Sequence, residues 1–83
     1  MSSAIDRWVS AVAADLGLSA YPADTRTILD MTKVVAHNVD RPAAPVTSYL
    51  VGVAVGRGMT LPDAIKHVQD LAGSWPGSNL EES

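Results

Sequence analysis

Apolar residues recur at intervals of three and four in four separate stretches of this chain, and nowhere do they alternate with a period of two. That spacing admits amphipathic helices and excludes half-buried strands, because a helical turn takes 3.6 residues and a strand repeat takes two. Ile5, Trp8, Val9, Val12 and Leu16 fall on one stripe. Ile28, Met31, Val35 and Val39 make a second, flanked by Leu29 and Ala36. Val46, Tyr49, Leu50, Val53 and Ala54 make a third, widened by Val51 and Val55. Leu61, Ala64, Ile65, Val68, Leu71, Ala72 and Trp75 make a fourth. The expected fold is all-α, a compact four-helix bundle.

Start and stop residues bracket each stretch and predict helices over residues 4–16, 24–39, 44–57 and 61–75. Ser3 is placed to cap the first, with Asp6 three residues on, and Gly17 stands where a left-handed C-terminal residue is wanted. Pro22 marks the loop over 18–23, and Asp24 is placed to cap the second helix. Pro42 stops that helix, because it disfavours helical geometry at Arg41 and has no N–H to donate. Pro45 suits the first turn of the third helix and Pro62 that of the fourth, with Gly58 between them as a stop and Thr60 as a cap. Gly52 and Gly56 would let a neighbouring backbone approach the third helix, which is apolar on most sides and so is expected at the centre of the bundle. Residues 1–75 read as one domain, and 76–83, which present no apolar face, as a flexible tail.

An 83-residue chain builds one core, and a domain this small buries only about 60–65% of its unfolded surface. Its residues are 47% hydrophobic and 5% aromatic, so the expected core is aliphatic, with Trp8 and Trp75 as its largest members. There is no cysteine, which removes disulfides, thiolate metal sites and thiol nucleophiles and suits a reducing cytoplasm. The amino-terminal residues lack the basic and apolar segments of a secretory signal, and Val46–Val55 falls far short of the roughly 20 residues that cross a bilayer. A cytoplasmic protein with no membrane contact is expected. The formal net charge is −3 and the six basic residues are scattered singly, which disfavours nucleic-acid binding.

Chemistry has few places to reside. His37 and His67 are the only near-neutral acids or bases, and neither sits in a triad-like motif. Asp63, His67 and Asp70 could be drawn as a metal site, but such residues on an exposed helix usually pair and solvate, so no metal and no cofactor are expected. No glycine-rich phosphate loop is present. The best candidate site is a basic edge: Lys33, His37 and Arg41, four residues apart, lead into the start of the third helix beside Thr47 and Ser48. Unpaired N–H groups there would favour an anion, and Arg41 could grip a phosphate or carboxylate. The competing reading makes Lys33 a solvated residue, His37 and Arg41 complements to the end of the second helix, and Thr47 and Ser48 partners of backbone.

The run Val35-Ala36-His37-Asn38-Val39-Asp40-Arg41-Pro42-Ala43-Ala44-Pro45-Val46-Thr47-Ser48-Tyr49-Leu50-Val51-Gly52, with Trp8, Asp15-Leu16-Gly17 and Trp75, resembles a small actinobacterial domain family of uncharacterised function. The resemblance spans residues 4–75. Members of that family occur alone or attached to molybdenum cofactor guanylyltransferases, which handle a phosphorylated pterin and a guanine nucleotide. By that resemblance His37, Arg41, Pro42, Pro45 and Thr47 match the family's motif. The resemblance implies a non-catalytic accessory module that binds the transferase or an anionic pterin or nucleotide. Two alternatives stand beside it: a protein-interaction or homodimerisation domain using an apolar helix face, and a small enzyme using His37.

Overall fold

The computed structural model describes residues 3–18 and 24–76. They form four helices: α1 (Ala4–Asp15), α2 (Thr25–Asn38), α3 (Ala43–Gly56) and α4 (Leu61–Gly73). No strand occurs among the described residues. The predicted Pro22 turn and the tail over 77–83 lie outside them.

Local chemistry sets the helix ends. The Asp6 N–H donates to Ser3 Oγ at 3.0 Å and the Ser3 N–H to Asp6 Oδ2 at 3.4 Å, so both halves of a capping box form at α1. Asp24 accepts from the Thr27 N–H at 3.2 Å, and Thr60 from the Asp63 N–H at 3.2 Å. Two helices end in the same hook. At α1, Gly17 takes φ 76° while Leu18 N–H donates to Ala13 O and Gly17 N–H to Ala14 O. At α3, Gly58 takes φ 113° while Met59 N–H donates to Ala54 O and Gly58 N–H to Val55 O. Each is a Schellman ending, in which the residue after the glycine is drawn back over the last turn.

The core belongs to α2, α3 and α4, which pack pairwise on one another. Its buried members are Met31 and Val35 from α2, Ala44 and Val51 from α3, and Leu61, Ala64, Ile65 and Ala72 from α4. Ile28, Val34, Val39, Ala43, Val55 and Val68 pack around them half-buried. Met31 is fully buried, as suits a flexible side chain filling the space where three helices meet.

Two expectations are corrected here. Trp8 and Trp75 are not core members: they are 69% and 45% exposed. α1 contributes no residue to the core cluster and buries only Ala13, so none of the other described helices covers the face that carries Trp8. The second correction concerns α3. The side chains of Val46, Tyr49 and Leu50 face outward, and the packed side carries Ala44, Val51 and Val55, nearly opposite at about 100° per residue. Gly52 and Gly56 lie on the outer side, where a Cβ added to either would meet nothing within 4 Å. They do not mediate close backbone packing in this fold.

Candidate functional site

The turned orientation of α3 opens a concavity between α3 and α4 among the described residues. Leu50, together with Thr47 and Ala54, forms one wall, and His67, Val68, Leu71 and Trp75 from α4 and its end form the other. Val35 of α2 and Val39 at its C-terminal end also line the concavity, beside the buried Val51, Ala64 and Ala72. Ala43 and Met59 complete the lining. Met59 is there because the hook after α3 draws it back towards Ala54, so one glycine with positive φ shapes both a helix end and a wall of the groove.

The groove holds about 390 Å³, within the range of roughly 300–1,000 Å³ typical of ligand sites. Among its described lining residues, the polar side-chain groups are the Thr47 hydroxyl, the His67 imidazole and the indole N–H of Trp75. It can therefore desolvate apolar groups, and it offers little to orient a polar substrate. Leu50 and Leu71, at 58% and 59% exposure, stand on its rim. A smaller recess of about 210 Å³ forms on α1 from Trp8, Val9, Val12, Ala13 and Leu18.

The residues of the predicted basic edge are distributed differently. Lys33 and His37 are exposed on α2, and Arg41 is exposed beyond its end, since the helix stops at Asn38 and the four-residue register lapses there. Thr47 joins the groove wall, and Ser48 Oγ donates to Ala44 O at 3.1 Å. The opening of α3 has few N–H groups to offer an anion. Pro42 and Pro45 carry none, Ala43 N–H donates to Asp40 O, and Ala44 N–H donates to Arg41 O. The Arg41 N–H donates to Asp40 Oδ1 at 2.8 Å, which places a carboxylate beside this segment. The five residues are near in sequence, and these bonds do not gather them into one set of free donors.

Among the described residues the ion pair is Lys66–Asp70, at 2.9 Å on the exposed side of α4. The hydrogen bond from Lys66 to Asp70 holds the ammonium above its ordinary pKa. Asp70 is thus engaged with a lysine, and no three His, Asp or Glu side chains of the described residues group as metal ligands would. No described helix is long and apolar enough to cross a membrane.

The groove is what sequence reasoning missed. Most of its members were assigned to helix stripes, and a stripe is silent about whether another element covers it; Thr47 and His67 were read for other chemistry, and Ala43 and Met59 were given no role. One signal was available: α3 is apolar around most of its circumference, more than two neighbours can cover.

A family model described as a domain of unknown function, DUF6457, matches residues 1–80. No curated protein and no solved structure matches the chain.

Proposed function

Because the chain belongs to the DUF6457 family, whose description carries no activity, we propose from its geometry that it is a non-catalytic binding module working through the α3/α4 groove. The observation that carries this reading is the open apolar groove with Leu50, Leu71 and Trp75 exposed along it. A monomer gains nothing by leaving such side chains in water, and contiguous patches of this kind mark interaction sites. The chemistry suits an amphipathic helix laid into the groove by its apolar face. Among the described lining residues His67 is the one acid–base group and has no catalytic companion, which supports a binding role over an enzymatic one.

The fluorescent dye 8-anilinonaphthalene-1-sulfonate, whose aromatic rings enter apolar surface while its sulfonate stays in water, tests this at low micromolar protein. The reading expects enhanced, blue-shifted emission that is lost in Leu71→Asp, with the helical circular dichroism unchanged. Emission that is absent, or indifferent to Leu71→Asp, overturns it.

A second reading keeps the basic edge. Lys33, His37 and Arg41 are all exposed, and the resemblance to actinobacterial domains attached to molybdenum cofactor guanylyltransferases supports a cytoplasmic accessory role. In it these residues, with Thr47 and Ser48, meet the transferase, a phosphorylated pterin or a guanine nucleotide. Titrating phosphate and GTP while following the amide resonances of residues 33–48 tests it, and the absence of any shift there ends its ligand-binding form.

A further inference from the structure

Two apolar surfaces of opposite shape are left uncovered by the other described elements. One is the groove. The other is the ridge of α1, where Ile5, Trp8, Val12 and Leu16 follow the i, i+3, i+7, i+11 register of a helix that seats in grooves. Ile5, Trp8 and Leu16 are exposed, and no residue of α1 lines the groove. We propose that the groove is occupied by α1 of a second copy of this chain, reciprocally, in a two-fold homodimer. The proposal rests on the reading of the groove as a helix-docking site.

Size and area favour a second copy over a lone docked segment. A volume of about 390 Å³ accommodates an indole with an aliphatic neighbour, as Trp8 and Val12 provide. The 12 residues of α1 span about 18 Å at a diameter of about 10 Å. Half of such a cylinder turned inward hides roughly 300 Å², and the groove walls lose about as much, or on the order of 600 Å² per docked helix. That falls short of the roughly 1,200–2,000 Å² of a stable, specific interface. Two-fold symmetry uses the same contact twice and brings the total to about 1,200 Å², into that range. The shapes also match in reverse. The recess of about 210 Å³ on α1 lies beside Trp8, where the rim residues Leu71 and Trp75 of the partner can enter.

The test is light scattering coupled to size exclusion, from about 1 µM to 1 mM, on the wild type, Trp8→Asp, Leu71→Asp and an equimolar mixture of the two variants. Both substituted side chains are exposed, so the fold is expected to survive, and circular dichroism checks this. The wild type should rise with concentration to twice the 8.7 kDa of one chain. Each variant alone should associate at least about 30-fold more weakly, since every hot-spot change is felt twice. The mixture forms one intact ridge-in-groove contact and one doubly broken one, so it should associate more strongly than either variant alone and more weakly than the wild type; a mixture no stronger than the separate variants overturns the reciprocal arrangement. A wild type that stays at one chain mass overturns the dimer, including the case in which Trp8 is shielded because α1 closes on its own groove. A dimer indifferent to Trp8→Asp overturns it equally. Dye binding that depends on Leu71 in a strict monomer would leave the groove reading standing and remove only this occupant.

Discussion

At the scale of single residues, the glycines of the third helical stretch separate by conformation. Gly52 lies inside α3 with open space where a Cβ would go. Gly52→Ala should therefore stabilise the protein by about 0.5–1 kcal/mol, through lost chain freedom in the unfolded state and with no clash in the folded one. Gly58, at φ 113°, has the same open space and the opposite expectation: Gly58→Ala should destabilise, because an L side chain strains that backbone. Denaturant unfolding of the two variants reads both signs. Asp24 supplies the expectation for pH. Hydrogen bonds from Thr27 hold its carboxyl below the ordinary value. A depressed folded pKa contributes stability in full above the unfolded value, about 3.9, and loses it as pH falls through the folded value. Asp24→Asn keeps an acceptor without that titration, so the variant should lose less stability than the wild type between pH 5 and pH 3 by urea denaturation.

Helix ends and helix faces differ in what determines them. The ends were legible from a few residues, because a cap or a hook depends on neighbours within six positions: Ser3 with Asp6, Thr60 with Asp63, Gly17 and Gly58 at their turns. Thr60→Ala should accordingly cost about 1 kcal/mol, seen as a melting point lower by roughly 4–8 °C. The face of α2 was legible too, and that of α4 through Leu61, Ala64, Ile65, Val68 and Ala72, because polar residues on the opposite side leave one orientation that buries apolar surface; Leu71 and Trp75, on the same expected stripe, stay exposed at the groove. Met31 marks the centre of that arrangement, and Met31→Ala should cost about 2–5 kcal/mol, enough to threaten the fold of a domain this small. The face of α3 was not legible. Val46, Tyr49, Val51 and Val55 are all apolar, so periodicity cannot say which of them turn inward.

For the whole molecule, the decisive feature is an assembly that buries α2, α3 and α4 against one another and leaves α1 beside them. Trp8 should be the more strongly quenched by iodide when Trp75→Phe and Trp8→Phe variants are compared at low concentration. In the homodimer proposed above, raising the protein concentration protects both indoles and raises the melting temperature, as mass action requires when the folded state associates and the unfolded one does not. A melting point that is independent of concentration would mark a chain that is stable as a single copy. The candidate anion residues show the same dependence on context. Their four-residue spacing was readable, but Pro42, at the turn, and Pro45, in the first turn of α3, remove N–H groups that a helix start would offer.

The sequence by itself determined the number and approximate bounds of the helices, their caps, the inward face of α2 and most of that of α4, because each follows from interactions among residues a few positions apart. It also determined membership of the family, matched over residues 1–80. Only the tertiary structure decided that α1 stays outside the core, that α3 turns Val46, Tyr49 and Leu50 outward, and that an apolar groove opens between α3 and α4. Hydrophobic burial has no direction of its own. Which of several equally apolar faces is covered depends on the shapes of all the elements together, and three helices have too little surface to cover every apolar face this chain presents.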